Sequence, residues 1–218
     1  MTAQQWTLPE VTIRGLSVGS MDNNVYLITA RRTGAQVLID AADDYVAIAD
    51  LLSSAAADVD GGAVPKLELV ITTHSHWDHV RALADVKART GVRTAAGRAD
   101  IPDIEVATDV PLEHGDVGNF DGFGLEAISL RGHTPGSVAL LYRDPHGPAH
   151  LFTGDSLFPG GVGNTQKDPV RFNQLMADVQ ARVFDVLPDD TLVHPGHGEG
   201  TTLGAERPQL DGWRARGW

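Results

Sequence analysis

Four strand-like stretches of this chain end in glycine-containing loops that carry histidine or aspartate, and that arrangement limits the folds open to it. KLELVITT (66–73) runs into HSHWDH, FGLEAISLR (123–131) into GHTPGS, PAHLFTG (148–154) into DSLF, and TLVHP (191–195) into GHG. The first loop places His74, His76, Asp78 and His79 close together in a chain with 9 histidines among 218 residues. His74 and His76 lie two apart where a strand ends, so an extended backbone turns both side chains to one side. Asp78 and His79 follow where a helix is expected to begin and point elsewhere. Rigid strands that present such loops along one edge are where layered α/β proteins build their sites.

The remaining pattern is consistent with layers. VTIRGL (11–16) and NNVYLIT (23–29) read as strands joined by the turn SVGSMDN, and AQVLIDA (35–41) as a third that brings in Asp40 at its end. Residues 43–57 read as a helix from an Asp cap, broken by DVDGGAVP. VRALADVKART (80–90) reads as a helix closed by Gly91. A short strand follows at 92–95. Residues 97–122 read mostly as loop, with a short strand at 110–112, and SVALLYRD (137–144) as a further strand. The clearest helix is 168–188, where Phe172, Leu175, Met176, Val179 and Val183 recur at three- and four-residue spacing. A final short helix is expected near Ala205. Interspersed strands and helices with several adjacent strand pairs predict a mixed α/β (α+β) layered architecture over an all-parallel doubly wound sheet.

Composition restricts the chemistry. The chain has no cysteine, so a metal here must be held by histidine nitrogen and carboxylate oxygen. With 17 basic against 29 acidic residues the net charge is −12, which argues against a nucleic-acid partner, because phosphate neutralisation supplies most of that affinity. Hydrophobic residues are 42% and charged residues 21%, as in globular proteins. No apolar run has membrane-spanning length, and MTAQQWTLPE lacks the basic-then-apolar order of a secretory signal, so a cytoplasmic address is expected and no membrane partner.

The ligand-competent residues can be grouped into two sets. His74, His76 and His133 could hold one metal through three nitrogens. Asp78, His79 and His197 could hold a second, with Asp155 bridging. Such a set suits zinc, iron or manganese. His194 competes with His197 for the last position; the glycines around His197 favour it and leave His194 a structural or supporting role. His114, His146 and His150 read as turn residues outside the ligand set, and Trp77 as a packing residue.

These motifs resemble the metallo-β-lactamase superfamily, and within it the glyoxalase II-like (hydroxyacylglutathione hydrolase-like) enzymes. THSHWDH (73–79), GHTPGS (132–137), TGDSLF (153–158) and PGHG (195–198) carry the resemblance, which extends from DNNVYLI (22–28) and VLIDA (37–41) to TTLGAERP (201–208). It implies a four-layer αββα sandwich formed by residues 1–218 as one domain, with a dinuclear site at one edge of the sheets. It also implies the ligand division above, two divalent ions (zinc foremost), and Asp78 and Asp155 as the carboxylates at the reacting centre. The implied activity is hydrolysis of small S-acyl, and especially S-2-hydroxyacyl, thioesters. A thiol leaving group with a pKa of about 8.5 departs with little need for a general acid.

Three departures bear on the substrate. Where glutathione-using members carry Gly-x-Gly-Lys, this chain reads Gly161-Val162-Gly163-Asn164; after the last histidine motif it reads Gly198-Glu199 in place of Glu-Tyr. The helical C-terminal extension that holds glutathione in those enzymes is also missing from the pattern. A thiol other than glutathione is therefore expected, met by Asn164, Lys167 and Arg171. The alternatives within the same fold are a lactonase, a β-lactamase or a persulfide dioxygenase with one iron on His74, His133 and Asp155. The alternative outside enzymes is a metal-binding scaffold.

Overall fold

The computed structural model describes residues 3–217; Met1, Thr2 and Trp218 of the expected 1–218 unit lie outside the described residues. One sheet runs, in spatial order, β1 (Ala3–Thr7), β2 (Val11–Val18), β3 (Asn23–Ala30), β4 (Ala35–Ile39), β5 (Lys66–Thr72), β6 (Arg93–Gly97) and β7 (Val110–Leu112). Its first four strands pair antiparallel through short turns, whereas β4 to β7 are parallel. Parallel neighbours need crossovers, and α1 (Tyr45–Ser54) and α2 (Leu83–Thr90) provide the first two.

The second sheet contains β8 (Val117–Phe120), β9 (Phe123–Ser129), β10 (Val138–Tyr142) and β11 (His150–Gly154) as an antiparallel run. A small ribbon of β12 (Leu157–Phe158) and β13 (Gly161–Val162) follows, then α3 (Pro169–Val179). The chain then returns through β14 (Leu192–Pro195), parallel to β11, and β15 (Thr201–Thr202) to α4 (Leu203–Glu206) and α5 (Leu210–Arg216).

Strand periodicity decides which face each side chain serves. In β3, Tyr26 and Ile28 join β2, β4 and β5 residues against Leu125, Leu140 and Phe152 of the other sheet. Val25 and Leu27 point the other way, into the layer formed with Ile48 and Leu51 of α1 and Leu83 and Val86 of α2. In the second sheet, Leu141 and Leu151 turn outward onto Phe172, Leu175, Met176 and Val179 of α3 and Trp213 of α5. Helix, sheet, sheet, helix is the αββα sandwich that the resemblance implies. No helix among the described residues is long and apolar enough to cross a membrane.

The boundaries differ from expectation for local reasons. α2 begins at Leu83 rather than residue 80, because residues 77–79 form a tight 3-10 turn. The amides of Arg81 and Ala82 then donate to Ala42 and Ala41 instead of opening the helix. The expected 168–188 helix is capped by Asp168, which accepts from the amides of Val170 and Arg171, and passes into one π turn at Gln180–Phe184. β1 and β8 are short, partly exposed strands that an apolar-run reading overlooks. A 3-10 turn at Arg98–Asp103 occupies part of the expected 97–122 loop.

Candidate metal centre

The ligand-bearing loops meet at one edge of the sandwich. Their backbones are bonded to one another there: Val138 N–H donates to Thr73, Gly196 to Gly154, and Asn24 to Gly196, at 2.7–2.9 Å. This brings His74, His76 and His133 into one group, and Asp78, His79 and His197 into another, each with its ligand atoms within 4.8 Å of one another. A third such group, His74, His79 and Asp155, spans the two. Asp155 Oδ1 lies 3.4 Å from His79 Nε2, and its Oδ2 lies 3.6 Å from His133 Nε2 and 3.5 Å from His197 Nε2. A carboxylate facing both sets is placed to bridge.

Hydrogen bonds behind the imidazoles select their tautomers. His79 Nδ1 is 2.9 Å from Asp40 Oδ2, His133 Nδ1 is 2.8 Å from Asn164 O, and His197 Nδ1 is 2.8 Å from Met21 O. Each acceptor requires the proton on Nδ1. Thr73 gives its hydroxyl proton to Asp40 at 2.8 Å, so its Oγ1 accepts from His74 Nδ1 at 3.0 Å. Four imidazoles are thereby oriented with Nε2 turned toward the cage.

Charge inside this cage is strongly coupled. Burial, reinforced by His79, keeps His74 well below the ordinary histidine range, and burial lowers His133 as well. Burial alone would do the same to His79, but Asp40 and Asp155 raise it to about 10. His197 is raised by its contact with Asp155. For Asp155, burial pushes upward, yet His197 and His79 hold it below the usual carboxylate range.

The residues fit a pair of divalent ions. His74 Nε2, His133 Nε2 and Asp155 Oδ1 are buried without a hydrogen-bond partner, and leaving such atoms unsatisfied is costly. A divalent ion satisfies lone pairs of this kind, and the nitrogen and carboxylate donor set matches zinc, iron or manganese. The backbone leaves room for close approach: a Cβ on Gly196 would overlap Asp155 Oδ1 and lie 2.8 Å from His79 Cε1.

Two supporting residues were not singled out in the sequence. Asp40, buried and in the left-handed region at φ 57°, accepts the Thr73 amide at 2.7 Å as well as the bonds above. Asn23 donates to Asp78 Oδ2 at 3.0 Å. The signal available for Asp40 was an acidic residue closing an apolar strand, at the same edge as the other ligand loops.

Other expectations are redistributed. Arg171 donates from Nε to Gly132 O at 2.8 Å and from Nη2 to His133 O, so it grips the His133 loop in place of the expected substrate contact. Asn164 holds His133 through its carbonyl, and its side chain is exposed beside Lys167; both line a cavity of about 220 Å³ with Val162, Gly163 and Thr165. Trp77 is 60% exposed, with Arg81 over its ring at 5.4 Å, and is not the packing residue expected. His194 lies outside the cage, stacked on Phe152 and bonded at 2.9 Å to His150. His150 is therefore a buried strand residue and not a turn residue. His114 and His146 are exposed.

Residues 18–197 match the family described as the metallo-beta-lactamase superfamily. The chain belongs to the metallo-β-lactamase superfamily. Within the superfamily, hydroxyacylglutathione hydrolase GloC from Haemophilus influenzae is 30% identical over 159 residues, covering 65% of this chain and 73% of its own length. The solved structure of TTHA1623 in a di-iron-bound form is 30% identical with a TM-score of 0.69, covering 88% of this chain and 96% of that one. ETHE1 from Myxococcus xanthus is 27% identical with a TM-score of 0.71, covering 97% and 85%. The chain spans 62% of the length of the hydroxyacylglutathione hydrolases from Dictyostelium discoideum and Ruegeria pomeroyi.

Proposed function

We propose that this superfamily member is a dinuclear-metal hydrolase that cleaves small S-acyl thioesters, S-2-hydroxyacyl thioesters foremost. The observation that carries the reading is the convergence of five imidazoles and two carboxylates into two adjoining ligand groups with Asp155 facing both. His74, His76 and His133 would hold one ion, Asp78, His79 and His197 the other, and Asp155 would join them. Zinc is the expected metal, with iron or manganese as alternatives. Divalent ions bound there supply an acidified water and polarisation of a carbonyl oxygen.

The chain's own residues prepare that chemistry. Asp40, Thr73, Asn164 and Met21 fix the imidazole tautomers, so little reorganisation remains when the ions bind. Asn23 orients Asp78, and Asp78 and Asp155 are the carboxylates at the reacting centre. In the overall reaction, water adds to the acyl carbon, the C–S bond breaks, and the products are a carboxylate, a thiol and a proton released to solvent. The weakly basic thiolate leaves without a dedicated acid. Asn164 and Lys167, at the cavity beside His133, are the proposed substrate contacts, and a thiol other than glutathione is the proposed carrier. The substrate is a soluble small molecule met in the cytoplasm.

A panel assay tests the reading: S-lactoyl thioesters of several small thiols, a lactone, a cephalosporin, and a persulfide with oxygen monitored. Thioester hydrolysis exceeding the others by at least about tenfold in kcat/KM is expected. Oxygen consumption on the persulfide by a single-iron protein would overturn it.

A further inference from the structure

Ser75 sits between two ligands of the three-histidine group and Thr134 follows the third, and one carboxylate holds both. Asp100, in the 3-10 turn after β6, has no exposed surface. Its Oδ2 accepts the Ser75 amide at 2.9 Å and the Thr134 hydroxyl at 2.6 Å, and its Oδ1 accepts the Gly136 amide at 2.6 Å. All three donors belong to the two loops that carry His74, His76 and His133.

The loop around His133 closes on this carboxylate as one unit. Thr134 gives its proton to Asp100, so Ser137 Oγ, 2.6 Å away, donates to Thr134 Oγ1 while accepting the Thr134 amide at 3.1 Å. Glycines make the approach possible. A Cβ on Gly136 would overlap the Asp100 amide and lie 2.8 Å from its Oδ1; one on Gly97 would overlap the Gly136 carbonyl. From the opposite side, Arg171 grips the carbonyls of Gly132 and His133, and Asp178 of α3 accepts the Arg131 amide at 3.0 Å. The His133 loop is thus clamped between α3 and Asp100, and Asp100 also ties it to the loop of His74 and His76, alongside the Val138 N–H bond to Thr73 O.

We propose that Asp100 is a positioning residue for the three-histidine metal position, setting His133 against His74 and His76 across the two sheets before an ion arrives. Its hydrogen bonds reach neither Asp78, His79 and His197 nor the residues behind them. The inference rests on reading the cage as two metal positions.

Asp100→Asn tests it without changing size. One accepting oxygen becomes an NH2 group, and whichever way the amide turns, a backbone N–H of Ser75 or Gly136 faces a donor. Cobalt(II) is titrated into chelator-stripped protein against a competing chromophoric chelator, with the cobalt absorption band recorded. His197→Ala and His76→Ala backgrounds isolate the two positions. In the His197→Ala background, Asp100→Asn is expected to weaken cobalt binding by about 10–100-fold and alter the band; in the His76→Ala background the change stays within about threefold. Thr134→Val follows the same pattern more mildly and Thr134→Ser restores it, which keeps the test available if Asp100→Asn fails to fold. Equal weakening in both backgrounds, or none in either, overturns the inference while leaving the two-metal reading intact. Failure of the parent chain to take up two cobalt ions overturns that reading and this inference with it.

Discussion

Asp40 Oδ2 lies 2.9 Å from Nδ1 of His79, and both side chains are buried almost completely. Asp40 adopts a left-handed backbone, uncommon outside glycine although aspartate tolerates it better than most, and it binds Thr73 through two further bonds. Strain of this sort persists only where surroundings over-determine it, and it concentrates at functional sites. Asp40→Asn is expected to weaken metal binding at the Asp78, His79, His197 position by about 10–100-fold, as measured by competition with a chelator. An unchanged affinity would mean that the carboxylate does not orient His79.

The same pair makes the metal-free chain sensitive to alkali. His79 is raised to about 10, so its contribution to stability is fully present below the unfolded value of about 6.5 and is lost as pH rises through 10. Thermal unfolding of the stripped protein across that window should show a falling midpoint. Because a metal must displace the His79 proton, metal uptake should also release protons, read directly as acidification of a weakly buffered solution.

At the other end of the scale, His150 and His194 stack and share a hydrogen bond inside the sandwich. Burial lowers them to about 4 and about 3, so the unfolded chain binds more protons than the folded one between those values and 6.5. Stability should fall as pH drops through that window. His194→Phe keeps an aromatic ring against Phe152 and removes one titrating group; it should flatten the acid limb of stability against pH by roughly 2–3 kcal/mol. Parallel limbs for the two proteins would show that this pair does not drive acid sensitivity.

Lys167 and Arg171, neighbours in sequence, should separate in kinetics. Lys167→Ala is expected to raise KM for an anionic thioester by about fivefold at low salt with kcat nearly unchanged, the difference shrinking as salt is added. Arg171→Ala should instead lower metal retention, because Arg171 grips the carbonyls beside His133. A pure KM effect for Arg171→Ala would return it to the substrate.

Much of this site was legible because metal chemistry admits few residue types and strand ends announce themselves. His74, His76, His133, Asp155 and His197 each follow an apolar run, and the structure brings all of them together with Asp78 and His79. The layered fold was legible from the same runs. What stayed hidden depends on long-range contact. Asp100 lies in a stretch whose prolines and glycines read as loop, and its partners are 25, 34 and 36 residues away. The exposure of Trp77 and the burial of His150 likewise follow from how loops pack across sheets, which a local pattern does not encode.

Metal content tests the central claim most directly. Purified protein, stripped and reloaded with zinc, iron or manganese in turn, should retain two equivalents per chain after removal of free ion. Asp155→Ala should lose metal and activity together, by more than the roughly 10–100-fold typical of losing a supporting group. One tightly held equivalent in the parent chain, or full turnover by Asp155→Ala, would contradict the two-metal cage.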